Sequence, residues 1–199
     1  MIEPPLPNHS GPSLAVVVSG PSGVGKTTIT KRLLEALEAA FSVSMTTRPK
    51  THADTEGVDY FFVTGDRFKQ AIDSDELLEW AQVFDHYYGT PRAPLEENLK
   101  SGRDVVLDID VNGGIQVKNA MPEALTIFIL PPSEDELLNR LRKRGREDEQ
   151  KIQRRFREAK REMTAAKESG AYDHFIVNDN LEQALAVALD LIYQHKQTV

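Results

Sequence analysis

The chain has 199 residues and no cysteine, which is enough length for one domain with a sizeable core and excludes a disulfide framework or a thiolate metal site. Its net charge of −7, from 24 Lys+Arg against 31 Asp+Glu, argues against nucleic acid or an anionic membrane as the main partner. No apolar run reaches membrane-spanning length, and the absence of Cys fits a cytoplasmic location.

Met1 to Ser13 holds four prolines and no apolar signal core, and reads as a disordered leader outside the fold. Leu14-Ala15-Val16-Val17-Val18-Ser19 is a short apolar run of the kind that forms a buried parallel strand. It leads into Gly20-Pro21-Ser22-Gly23-Val24-Gly25-Lys26-Thr27, which meets every fixed position of the phosphate-binding loop G-x-x-x-x-G-K-[ST]. Ile29, Leu33, Leu34 and Leu37 then recur at helical spacing up to Ala40. Strand, glycine loop and helix is the context that the motif requires. Glycines let the backbone wrap a phosphate chain with its N–H groups turned inward, and the helix N-terminus adds partial positive charge. Lys26 brings a full charge, the Thr27 hydroxyl can ligate Mg²⁺, and Thr28 follows in the same phosphate-binding stretch.

Phe41 to Met45 is expected as a second strand, 46–58 as a polar loop, and Asp59 to Val63 as a strand. Thr64 to Ile72 suggests a short helix with Phe68 and Ile72 on one face. Leu77 to Phe84 is expected to be extended, and Asp85 to Thr90 carries turn chemistry with two tyrosines, of which Tyr87 reads as core packing. Arg92 to Ser101 reads as a helix closed by Gly102. Asp104 to Ile109 and Leu125 to Leu130 are buried-type strands, the second stopped by Pro131 and Pro132. Ser133 to Glu136 is a capping box ahead of Leu137, Leu138 and Leu141. The stretch from Arg140 to Arg157 is strongly charged, and His174 to Val177 is a last strand. Asn180 opens a final helix with Leu181, Leu185, Leu189 and Ile192 on its buried face. Strands alternating with helices indicate a parallel sheet wrapped by helices, and residues 41–90 break that rhythm as an inserted, mostly antiparallel lobe. In such folds ligands bind at the carboxyl ends of the strands. The phosphate loop, Asp108, Asp110 and Asn178 all fall there. The five histidines have no metal-ligand spacing.

These blocks, taken in order, resemble the guanylate kinase family from about Leu14 onward. The matching stretches are residues 19–27, Ser42 to Arg48, Gly57 to Phe62, Glu79 to Gln82, Tyr87 to Thr90, Leu107 to Asp110, Arg140 to Gly145 and Ile176 to Asp179. The resemblance implies an α/β fold: a P-loop NTPase-type parallel sheet wrapped by helices, with an inserted small mixed or antiparallel GMP-binding lobe and an arginine-rich lid. It divides the chain into a core (14–40, 91–139 and 157–199), a lobe (41–90) and a lid (140–156). It implies transfer of a phosphoryl group from ATP to GMP, with Mg²⁺ accompanying ATP and dGMP as a further candidate acceptor.

By the same resemblance Glu79 accepts the guanine N1–H and N2–H, Asp110 assists at the amino group, and Thr90 stands where the family has a Ser that donates to O6. A carboxylate suits that edge because it accepts two adjacent donors. Ser44, Arg48, Tyr60 and Tyr88 fall on the GMP phosphate, where the planar fork of an arginine pairs with phosphate oxygens. Lys26, Arg48, Arg140, Arg144 and Arg155 are the implied catalytic cations, because phosphoryl transfer spreads negative charge over the moving group. Asp108 belongs with the acceptor groups and can hold Mg²⁺ through water. Asn178 lies in the block near the ATP adenine. The family usually carries a second arginine three residues after the first, where this chain has Thr51, and Gly-Glu where it has Ala53-Asp54. Two other readings stand beside this one: a guanylate-kinase-like module that binds phosphopeptides, and a related P-loop kinase of another small molecule. The intact Lys26 and Thr27 weigh against the first, and the Glu79, Tyr88 and Asp110 blocks against the second.

Overall fold

The computed structural model describes residues 11–83, 85–143 and 148–198. At its centre is β1 (Ala15–Ser19), buried along its whole length. Val16 and Val18 pack into one apolar layer, and Ala15 and Val17 into another. A strand apolar on both faces must be covered on both, and helices do so here. α1 (Lys26–Leu37) follows the glycine loop and buries Ile29, Leu33 and Leu37.

The large sheet runs β2 (Ala40–Phe41), β7 (Val105–Asp108), β1, β8 (Leu125–Leu130) and β9 (His174–Val177), every pair parallel. β1 lies between β7 and β8, so the crossover direction reverses beside it. That switch point, at the carboxyl ends of the strands, is where a crevice opens in such a sheet. Leu125, Ile127 and Ile129 of β8 join the layer that also takes α1, α5 (Glu134–Lys143), α6 (Glu149–Ser169) and α7 (Leu181–Thr198). On the other face, α3 (Arg92–Lys100) contributes Leu95 and α4 (Val111–Ala120) contributes Val117.

The inserted lobe is a second, mixed sheet ordered β4 (Phe61–Phe62), β3 (Met45–Thr46), β6 (His86–Pro91) and β5 (Leu77–Val83). β3 pairs parallel with β4 and antiparallel with β6, and β5 pairs antiparallel with β6. α2 (Gly65–Asp73) closes it, with Phe68 and Ala71 against Met45 and Leu77. The Thr64 hydroxyl caps α2 by accepting from Arg67 N–H at 3.2 Å.

Two expectations are corrected, and one helix is added. The strand expected over Phe41 to Met45 is two strands in two sheets: Ala40–Phe41 extends the large sheet, and Met45–Thr46 opens the small one. The turn expected over Asp85 to Thr90 is mostly strand, because Tyr87 and Tyr88 pair with Gln82 and Ala81. α4 had no expectation at all; Gly113 and Gly114 weaken its helical signal, and Asp110 supplies its cap, Oδ1 accepting from Gly113 N–H at 2.8 Å. The charged run past Arg140 continues into α6, a helix of 21 residues that buries Ile152, Ala159 and Ala166. A lid boundary drawn at 156 falls inside that continuous helix. At the amino-terminal end, Ser13 Oγ donates to Leu99 O at 2.6 Å; residues 1–10 of the expected leader lie outside the described residues.

Candidate active site

The phosphate loop leaves β1 and returns as α1. Gly20, Gly23 and Gly25 all take positive φ. Two of them also lack room for a side chain. A β-carbon on Gly20 would stand 2.6 Å from Ile129 O, and one on Gly25 2.6 Å from Asn178 Nδ2. Gly25 is the N-cap of α1 and offers no side chain to its first-turn N–H groups. An uncapped, solvent-facing helix start is a ready anion site. Thr27 and Thr28 are exposed at its mouth.

Lys26 Nζ lies 3.5 Å from Asp108 Oδ1, so the end of β7 faces the start of α1. A cavity of about 280 Å³ is lined by the loop, Asp108, Asp110 and Glu162. A larger one, about 870 Å³, runs from there beneath α6 to Gln82 and Val83 of β5. Ser22, Asp110 and Glu162 line both, and so mark where the two spaces meet. Glu162 belonged to no expectation. It is one acid in a highly charged helix, and only the tertiary fold turns it inward. Burial pushes its carboxyl up to about 7, against the pull of Lys26 and with a further push from Asp110 and Glu158.

On the lobe side, Glu79 is buried in β5. Thr90 Oγ1 donates to Glu79 Oε1 at 2.7 Å. Its carboxyl is pushed up to about 7, first by burial; the Thr90 hydroxyl opposes the shift and Asp110 adds to it. The other oxygen, Oε2, lies against Gly113 of α4, 2.9 Å from where a β-carbon would be. Gly113 is a second site residue that sequence reasoning missed. Thr90 has one hydroxyl proton, already engaged on Glu79, so donation to any ligand requires that hydroxyl to turn.

Arg48, Tyr60 and Tyr88 come together elsewhere on the lobe. The Arg48 guanidinium lies over the Tyr60 and Phe62 rings at 5.3 and 5.4 Å, and Tyr60 packs edge-on to Tyr88 at 5.8 Å. Both terminal nitrogens of Arg48 are paired with Asp54, and that contact holds the Asp54 carboxyl well below the usual range. Ser44 stands in the same strand region, its carbonyl accepting from Phe61 N–H at 2.9 Å.

The remaining cations are arranged differently. Arg155, on α6, donates to Ser22 Oγ of the phosphate loop and so ties that helix to it. Arg140 is held on α5, Nε donating to Glu136 Oε1 at 2.9 Å and Nη1 to Asn178 O at 3.0 Å. Arg144 lies outside the described residues. Asn178 is buried, and its Nδ2 donates to Val24 O at 2.7 Å. Its side chain therefore braces the phosphate loop from below.

No group of three or more His, Asp or Glu that would hold a metal ion occurs among the described residues. Thr27 and Asp108 instead provide a hydroxyl and a single carboxylate beside the phosphate space. That donor set suits Mg²⁺, which usually keeps several waters and is bound through one or two carboxylates together with substrate phosphates. No helix among the described residues is long and apolar enough to cross a membrane.

The guanylate kinase family profile matches residues 13–195. The chain is 44% identical over 184 residues to a guanylate kinase of Caldanaerobacter subterraneus, covering 92% of this chain and 88% of that protein. It is 48% identical over 179 residues to a guanylate kinase of Synechococcus, covering 89% and 81%. Among solved structures, it superposes on a guanylate kinase from Anaplasma phagocytophilum with a TM-score of 0.72 and 31% identity, covering 94% of this chain and 87% of that one.

Proposed function

The chain belongs to the guanylate kinase family, and from that premise we propose that it transfers the γ-phosphoryl group of ATP to GMP, giving ADP and GDP. The observation that carries the reading is that Asp110 joins two unlike groups. A glycine loop built for a phosphate chain shares its cavity with Asp110, and Asp110 in turn acts on a buried carboxylate, Glu79, on the inserted lobe.

In this reading the donor triphosphate lies along the N–H groups of the phosphate loop and the start of α1. Lys26 exchanges Asp108 for the donor phosphates. Guanine enters beside Glu79, whose two oxygens accept N1–H and N2–H; the Thr90 hydroxyl turns toward O6, and Asp110 faces the amino group. Arg48, Tyr60, Tyr88 and Ser44 hold the acceptor phosphate. One of its oxygens attacks the γ-phosphorus of ATP, the new O–P bond forms, and the bond from the γ-phosphorus to the bridging oxygen breaks with its electrons going to ADP. The nucleophile is already an anionic oxygen, so no protein base is required. Catalysis rests on positioning and on cations at the developing charge. Lys26 and Arg155 are those cations, joined by Arg140 once it leaves Glu136 and by Arg144. Mg²⁺ accompanying ATP would supply positive charge against the phosphates, and Thr27 and, through water, Asp108 would hold it.

The lobe at 41–90 and the lid at 140–156 close over both nucleotides in this scheme, since water in the crevice would accept the phosphoryl group instead. dGMP fits the same contacts, none of which uses the 2′-hydroxyl. We place the reaction in the cytoplasm. A coupled assay with ATP and a panel of GMP, dGMP, AMP, UMP and CMP tests the assignment: turnover confined to the guanine nucleotides is expected, and equal turnover of AMP overturns it.

A further inference from the structure

Arg48 has a partner that the scheme above does not use. Its Nη1 donates to Asp54 Oδ2 at 3.0 Å and its Nη2 to Asp54 Oδ1 at 2.9 Å. Nη1 also donates to Pro49 O at 3.2 Å. A guanidinium carries five N–H groups in one rigid plane. Three are engaged here, which leaves the Nε–H and the second N–H of Nη2. In the planar group those two run parallel along one edge, and an edge of that kind pairs with two oxygens of a phosphate.

Asp54 is itself fixed. Its Oδ2 accepts from both the backbone N–H and the hydroxyl of Thr51, each at 2.7 Å. Asp54 N–H donates back to Thr51 O at 3.2 Å, closing a tight turn. Thr51, where the resembling family carries an arginine, contributes no charge in this chain and buttresses a carboxylate instead. From below, the Tyr60 and Phe62 rings limit the tilt of the guanidinium, and Thr46 Oγ1 accepts from the Arg48 N–H at 3.1 Å.

We propose that Asp54, buckled in place by Thr51, is a positioning residue for the acceptor phosphate: it holds the end of the Arg48 guanidinium so that the Nε–Nη2 edge is presented to GMP beside Tyr60 and Tyr88. The proposal rests on the assignment of Arg48 to that phosphate. Without Asp54, the arginine keeps its charge but loses its direction, so binding of GMP suffers while the chemical step and the ATP site do not. A contact made equally in ground and transition states appears in KM and not in kcat.

The test measures kcat, GMP KM and ATP KM for Asp54→Ala, Asp54→Glu, Thr51→Val, Arg48→Ala and the Arg48→Ala/Asp54→Ala double variant, with melting temperatures alongside. Asp54→Ala is expected to raise GMP KM roughly tenfold, the scale of one charge-assisted hydrogen bond, with kcat and ATP KM within about twofold of the parent. Asp54→Glu restores most of the loss, Thr51→Val gives a smaller rise in the same direction, and the double variant is no worse than Arg48→Ala. A fall in GMP KM for Asp54→Ala would overturn the proposal, because Asp54 would then compete with the phosphate for Arg48. So would a loss that persists in full on the Arg48→Ala background, or one shared by ATP KM and the melting temperature, which marks a structural turn only. If Arg48→Ala leaves GMP KM unchanged, the assignment of Arg48 to the phosphate fails, and the role of Asp54 fails with it.

Discussion

Glu79 and Gly113 share one space: a β-carbon on Gly113 would stand 2.9 Å from Glu79 Oε2 and 3.3 Å from its Cδ. Glycine inside a helix costs about 0.5–1 kcal/mol relative to alanine, and here its absent side chain is what lets the β5 carboxylate lie against the first turn of α4. Gly113→Ala should therefore behave opposite to helix propensity. We expect it to displace the carboxylate and lower kcat/KM for GMP by roughly tenfold or more, the cost of a misaligned buried hydrogen-bonding pair, with ATP KM unchanged. Steady-state kinetics with each substrate varied in turn decide it. A variant with unaltered GMP kinetics and a higher melting temperature would mean that Glu79 moves aside freely and Gly113 has no part in the site.

The same carboxylate should make the protein respond to pH near neutrality. Burial raises the Glu79 carboxyl from 4.5 to about 7. Guanine presents two donors to it, so the ionised form is the one that binds. GMP should bind more tightly as pH rises from about 6 to 8, and Glu79→Gln should remove that slope and weaken binding by about 10- to 100-fold. For stability the sign is the reverse. A carboxyl whose folded-state value is raised contributes its stability in full below the unfolded value of 4.5 and loses it as pH rises through about 7. The melting temperature of the nucleotide-free protein should fall across that window, and fall less in Glu79→Gln. Glu162 is raised to the same region, so a residual slope in that variant is expected. Calorimetric titration of GMP at several pH values checks the binding arm, and a flat profile for the parent protein rejects it.

How far the sequence is legible depends on where each residue's reason lies. The phosphate loop is readable because its glycines answer to local backbone geometry. Glu79 is readable from its neighbours: Leu77 and Leu78 are buried, and a carboxylate beside them needs a partner. Trp80, by contrast, is exposed. α4 was hidden because its two glycines lower helical propensity for the sake of distant partners, Glu79 against Gly113 and the Tyr172 hydroxyl against Gly114. Phe41 to Met45 shows one apolar pattern while the chain passes between two sheets inside it, which periodicity does not register. Glu162 and Asp54 look like ordinary solvated acids, and only their surroundings distinguish them. Asn178 was expected near the ATP adenine, and its amide is directed at the protein backbone.

That direction leads to a prediction about Asn178. Its side-chain Nδ2 is the donor to Val24 O, and its backbone carbonyl receives Arg140 Nη1. Removing the amide leaves a buried carbonyl without its partner, at a cost of about 1–3 kcal/mol. Asn178→Ala should lower the melting temperature and raise ATP KM together, through a loosened phosphate loop. Asn178→Asp should be worse, since a carboxylate would set negative oxygen against the Val24 carbonyl. A role confined to the adenine base predicts something else: no change in melting temperature, and a shift in preference between ATP and other donor nucleotides. Denaturation scans and donor-panel kinetics on the two variants separate these outcomes.

Lys26 and Asp108 offer the converse case, a pair whose loss should touch turnover and not folding. They meet at 3.5 Å with 21% and 18% of their side chains exposed. Partly exposed pairs of this kind contribute about 0–1 kcal/mol, and Lys26 sits at the uncapped start of α1, outside the apolar core clusters. Lys26→Met keeps the length of the side chain and removes its charge. The melting temperature should hold within a few degrees, while kcat at saturating ATP and GMP should drop by roughly 100-fold or more, the scale seen when one preorganised charge is taken from a developing anion. GMP KM should hold, because Glu79 and Arg48 belong to the inserted lobe and not to the phosphate loop. Near-parental turnover would remove Lys26 from the phosphoryl-transfer step. A collapsed melting temperature would instead make the Lys26–Asp108 pair a clamp between α1 and β7.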